Sequence, residues 1–160
     1  MRVMKLLIFS LLLALTSISF AAAESRKIDS FGAIDCEDEM ARLDNFAIEL
    51  QNAPEAQGYV LVYGGRRDTK RDEVQVRGSR MKRYLVENRG VSADRVQVLN
   101  GGYRENFTVE LWLVPHGETG PAATPTVKER DVRFKRGRMD SYREPGCYAG
   151  KYVVRKARPA

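Results

Sequence analysis

Hydrophobic and polar positions change rhythm several times along the chain, and each rhythm predicts an element. Between Asp35 and Asn52, Met40, Leu43, Ala47 and Leu50 recur at three- and four-residue steps, with Phe46 widening the stripe. That is the period of an amphipathic helix. Glu37, Asp38 and Glu39 place negative charge on its first turn, where the helix dipole favours it, and Pro54 ends it. A second helix is predicted over Asp72 to Arg89, with Val74, Gly78, Met81 and Leu85 as its inner stripe and Gly90 at the C-terminal cap. Gly78 inside that helix costs about 1 kcal/mol relative to alanine, so close packing is expected there.

The strands follow a shorter period. Ile28 to Gly32 reads as a brief strand ending in a glycine turn. Tyr59 to Tyr63 is apolar on both faces and bounded by Gly58 and by Gly64-Gly65. Such a run predicts a central strand, covered by structure on both sides or by helices on one side and a partner on the other. Arg66 to Asp72 is charged apart from Thr69 and predicts an exposed loop. Val96 to Leu99 is a third strand, stopped by Asn100-Gly101-Gly102. Phe107 to Val114 is a fourth, with Phe107, Val109, Leu111 and Leu113 on one face and Thr108, Glu110 and Trp112 on the other. The order β-α-β-α-β-β predicts an α/β (α+β) sandwich, two helices on one face of a mixed sheet. Residues 115–127 form a Pro/Gly-rich linker. Residues 128–160 form a basic extension, in which Cys147 to Val154 has the composition of one more strand.

Charge divides the same way. The 160 residues carry a formal net charge of +6. Residues 24–114 hold 14 Lys and Arg against 16 Asp and Glu, whereas residues 115–160 hold 11 against 5. The expected domain is nearly neutral and its extension is basic. The extension can be read as a binder of polyanions such as phosphate-bearing headgroups or acidic polysaccharide, or as a solubilising tail. One histidine, His116 in the linker, and two cysteines are too few for a histidine-rich metal site or a multi-disulfide scaffold. No serine or cysteine signature surrounds a nucleophile, so neither an enzyme nor a cofactor is expected.

At the N-terminus Arg2 and Lys5 precede the apolar run Leu6 to Leu15, and Ala21-Ala22-Ala23 offers small residues before Glu24. This is the pattern of a signal peptide over residues 1–23. The alternative, a retained anchor, suits the sequence less well, because Ser10, Thr16, Ser17 and Ser19 interrupt the hydrocarbon. The expectation is an exported protein of the periplasm or cell envelope with no transmembrane segment in the mature chain. In an oxidising compartment Cys36 and Cys147 would pair, a bond worth about 4–5 kcal/mol for so long a loop. Two unrelated thiols are the other reading.

Several stretches carry a family likeness. They are Ala41-Arg42-Leu43-Asp44 in the first helix, the strand Tyr59 to Tyr63, Arg77-Gly78 with Met81 and Leu85 in the second helix, and Gly90-Val91-Ser92-Ala93-Asp94-Arg95-Val96. Together they make residues 28–114 resemble an OmpA-like domain, the peptidoglycan-associating C-terminal domain of outer membrane protein A and its relatives. The resemblance implies that Arg77 grips a carboxylate of the peptide stem, with an aspartate after the second strand taking the ammonium group. Where the family has threonine-aspartate this chain has Gly64-Gly65, with Asp68 the nearest substitute. Gly64-Gly65, flanked by Arg66-Arg67 and Lys70-Arg71, could also frame an anion site, though a glycine pair at a strand end is more often just a turn. The expected role is non-catalytic binding of peptidoglycan. The alternative is a scaffold that has lost this ligand, with its basic tail touching an anionic partner such as another envelope protein. Nucleic acid is not an expected partner.

Overall fold

The structure is a computed structural model and describes residues 24–139. The predicted signal peptide, Cys147 and the strand expected near it lie outside the described residues. The elements are β1 (Arg26–Phe31), α1 (Cys36–Asn52), β2 (Gln57–Gly65), β3 (Lys70–Arg71), α2 (Glu73–Arg83), β4 (Val96–Arg104), β5 (Thr108–Val114) and β6 (Lys135–Arg138). A four-stranded sheet has the order β1-β5-β2-β4, and β3 and β6 make a separate two-stranded ribbon. In the larger sheet β2 runs parallel to β4 and antiparallel to β5, and β1 runs antiparallel to β5, so the sheet is mixed.

Both helices lie on one face of this sheet. Leu43, Phe46, Ala47 and Leu50 from α1 and Val74 and Met81 from α2 share a core with Val60, Val62, Val109, Leu111 and Leu113. The inner positions of both predicted stripes are thus the buried ones, except Met40, which is half-buried against the same core. Gly78 answers to the close-packing expectation: a Cβ there would lie 2.5 Å from Cγ1 of Val98. The last turn of the second helix widens into a π-helical turn over Tyr84–Asn88. Gly90, at φ +70°, closes it, with Val91 N–H donating to Leu85 O at 3.0 Å.

Three expectations are corrected. The pair Gly101-Gly102 does not stop the third strand: β4 continues to Arg104. The glycines mark an irregularity in register between Val62 and Gly64, and Gly101 leaves room for the Tyr63 ring, which a Cβ would meet at 2.5 Å. The charged loop is not wholly exposed. Thr69 is buried, and Lys70–Arg71 pairs with the C-terminal extension. The Pro/Gly-rich segment is not an open tether either. It lies as a strap over the sheet face away from the helices.

Strand alternation explains that strap. Tyr59, Leu61 and Tyr63 point away from the helices, yet Leu61 and Tyr63 are fully buried. Thr124 N–H donates to Tyr63 Oη at 3.2 Å. Gly120 sits so close to the Tyr59 ring that a Cβ would meet it at 2.8 Å. Val127 N–H donates to Tyr103 O at 3.0 Å and forms a bridge with that residue. The second face of the central strand is thus covered by the chain itself.

Candidate functional site

Arg77 lies one turn into α2, at the end of the sheet where β2 finishes and β5 begins. Its guanidinium is already engaged. Nη2 donates to Glu39 Oε2 at 2.8 Å, and Nη1 lies 3.6 Å from Glu73 Oε1. The same group stacks over the Phe107 ring, 4.0 Å from its centroid. The Arg77 side chain is 18% exposed and that of Glu39 only 4%. A fork held between two carboxylates and a ring is an internal ion pair; a carboxylate arriving from solvent would have to displace Glu39.

The other residues of the expected ligand site are also committed to the fold. Gly65 N–H donates to Thr69 Oγ1 at 2.5 Å, and the next amide, Arg66 N–H, donates to Glu105 O at 3.2 Å. The glycines serve close packing. A Cβ on Gly64 would lie 2.8 Å from the Tyr103 ring, and one on Gly65 would lie 1.7 Å from the Asp68 carboxylate and 2.8 Å from the Phe107 backbone nitrogen. Asp68 thus lies over Gly65, and the acid partners of Arg77 are Glu39 and Glu73. The structure brings Gly64, Gly65 and Asp68 together without joining Asp68 to Arg77.

Glu39 is the partner of Arg77 that the sequence pattern does not announce. It counts among three first-turn acids, but it falls four residues before Leu43 and seven before Phe46, on the inner stripe. A carboxylate at an inner-stripe position was the available signal, since a buried charge needs a buried partner.

A second concealed carboxylate sits on the strap side of the sheet. Glu110, with a side chain 6% exposed, accepts from Lys27 Nζ at 2.9 Å, Arg104 Nη1 at 3.0 Å and Trp112 Nε1 at 3.1 Å. Burial by itself would raise its pKa, and the hydrogen bonds from Lys27, Trp112 and Arg104 overcome that and hold it below the ordinary value. Arg104 also stacks on Tyr63 and donates to Thr124 Oγ1 at 2.7 Å, which ties the strap to this cluster.

The family-like motifs have structural duties as well. Arg95 donates to the carbonyls of Leu50, Ala53 and Ala56, closing the C-terminal end of α1. Asp44 accepts from Tyr84 Oη at 2.7 Å and from Arg89 Nη2 at 2.5 Å. The Arg89 hydrogen bond holds the Asp44 carboxyl below its usual range, and burial pushes the Tyr84 hydroxyl up.

The ribbon differs from all of these clusters. Lys70 pairs across from Lys135 and Arg71 from Arg138, so like charges face each other. All four residues of β6 are exposed. Arg138 pairs with Asp72, with an Nε–Oδ2 distance of 2.6 Å. Asp72 itself holds a left-handed conformation, φ 65°, at the start of α2. Among the described residues Arg67, Arg130, Arg133, Lys135 and Arg136 have no acid partner.

Cys36 is not a free thiol, while Cys147 lies outside the described residues, so their pairing stays an expectation. Among the described residues no helix is long and apolar enough to cross a membrane. No protein-family model matches the chain, and no curated protein matches it at a significant level.

Proposed function

We propose that this protein is an exported cell-envelope module with an OmpA-like fold that acts without catalysis. It contacts an anionic partner through its basic C-terminal segment rather than gripping peptidoglycan through Arg77. One observation carries the reading: the guanidinium at the clamp position is spent on Glu39, Glu73 and Phe107. A concealed carboxylate of the chain fills the role that a peptide-stem carboxylate would fill. Among the described residues, β6 and the residues beside it hold the densest group of cations without an acid partner, Arg133, Lys135 and Arg136 together with Arg67.

The OmpA-like assignment rests on the shared element order and on the Gly90–Val96 stretch, whose Arg95 and Gly90 hold the helix ends in place. The envelope assignment rests on the N-terminal sequence pattern.

Two measurements test the proposal. Purified protein is expected to stay in the supernatant when peptidoglycan sacculi are spun down. It is expected to be retained on an immobilised polyanion such as heparin until salt releases it. No retention on the polyanion would overturn the reading. Pelleting with sacculi that is lost in Arg77→Lys would replace it with peptide-stem recognition, because lysine keeps a charge near Glu39 but not the two-pronged geometry.

A further inference from the structure

We infer that the ribbon of β3 and β6 is a docking face for an anionic phospholipid surface. The inference rests on the basic segment being the contact surface, and adds what that surface meets. Three observations lead to it. The first is the arrangement of charge. Hydrogen bonds from Lys135 N–H to Thr69 O at 3.0 Å and from Arg133 N–H to Arg66 O at 2.8 Å fix the extension against the loop that carries Arg67 and Arg71. Arg67, Arg71, Arg133, Lys135, Arg136 and Arg138 are all exposed. The pairing irregularity places Arg136 and Gly137, at φ +86°, as extra residues between the two paired positions of β6. Such bulges turn a side chain out of the ladder.

The second observation is that like charges lie opposite one another in both pairs. Arg138 is balanced by Asp72 and Arg71 lies over Phe134, so the cations left to meet a facing sheet of negative charge are Arg67, Arg133, Lys135 and Arg136. Arginines predominate in the set, and their planar forks suit phosphate oxygens.

The third observation distinguishes a membrane from a polymer chain. The ribbon's aromatic residue, Phe134, has Tyr103 edge-on at 5.7 Å and the Arg71 guanidinium over its face at 4.6 Å. It offers no free ring for a base or sugar to stack on. The adjoining hollow, about 770 Å³, includes Asn100, Tyr103, Pro125, Lys128 and Glu129 in its lining, with one cation and one acid. That hollow is not basic, so the charge lies spread over the ribbon, which suits a plane of headgroups, and a flexible polyanion such as heparin would be held by the same exposed cations.

The experiment is flotation of the full mature chain with phosphatidylcholine vesicles, with and without about 30% phosphatidylglycerol. Co-flotation is expected only with the anionic vesicles, and is expected to fall away between about 0.1 and 0.5 M salt. The double variant Lys135→Glu/Arg136→Glu should lose about tenfold or more in partitioning, with an unchanged melting temperature. Equal binding to both vesicles, or no effect of the double variant, overturns the inference. Retention on heparin without flotation also overturns it, and leaves a polymeric or protein polyanion as the partner. Failure on both supports removes the anionic-partner reading as well.

Discussion

The molecule handles arginine in two opposite ways at the two ends of α2's first turn. At Arg77 the guanidinium is enclosed, with Glu39, Glu73 and Phe107 around it. A few residues earlier, where Asp72 meets Arg138, the chain passes into a ribbon whose cations outnumber their acid partners. The difference teaches where to look for function. A charge balanced from within contributes to one folded arrangement and has little left for a ligand. A charge left without a counterpart weakens the fold slightly and is free to meet something outside.

The largest expected effect comes from opening the enclosed pole. Arg77→Ala takes the Arg77 guanidinium away from the buried Glu39 carboxylate, from Glu73 and from the Phe107 ring, and should lower unfolding free energy by about 3–5 kcal/mol in urea titration. The double variant Glu39→Ala/Arg77→Ala should recover part of that loss, since the buried carboxylate is removed together with the guanidinium that met it. A loss in Arg77→Ala below about 1 kcal/mol would mean that the pair is loosely held and the contrast with the ribbon is weaker than the geometry indicates.

Next is Glu110→Gln, which leaves Lys27 and Arg104 without their shared carboxylate and should cost about 1–3 kcal/mol. The pH dependence sharpens this. The folded-state pKa of Glu110 lies below its ordinary 4.5. Its stabilising contribution is thus fully present above that value and is lost as pH falls through the lower folded value. The acid unfolding curve of the variant should be flatter than that of the parent in this window.

Gly78→Ala should cost about 1–2 kcal/mol, because the clash with Val98 outweighs the gain in helix propensity. The smallest effect on stability is expected on the ribbon. Lys135→Glu/Arg136→Glu should change unfolding free energy by less than about 0.5 kcal/mol while abolishing retention on heparin. A stability loss as large as that of Arg77→Ala would erase the distinction between the two regions.

The helices were legible in sequence because their inner stripes are strictly periodic, from Leu43 to Leu50 and from Val74 to Leu85. The alternation in β5 was legible for the same reason. The site was less so. Arg77 could be picked out by position, but its partner Glu39 lies 38 residues away, and only the packing of α1 beside α2 joins them. The course of β4 through Gly101-Gly102 was hidden because glycine marks both a strand end and a bulge, and only the Tyr63 ring behind it decides which. The ribbon was hidden because two residues of β3 and four of β6 are too short to show a period.

The strap has a practical corollary. Cutting the chain after Val114 would strip the cover from Tyr59 and Tyr63 and take Thr124 away from Arg104, leaving an oily, aromatic patch in water. Such a fragment is expected to clump, and its failure to bind anything would say nothing about the tail. The same dependence should make a protease nick between Gly120 and Pro125 far more damaging than its loop-like composition suggests.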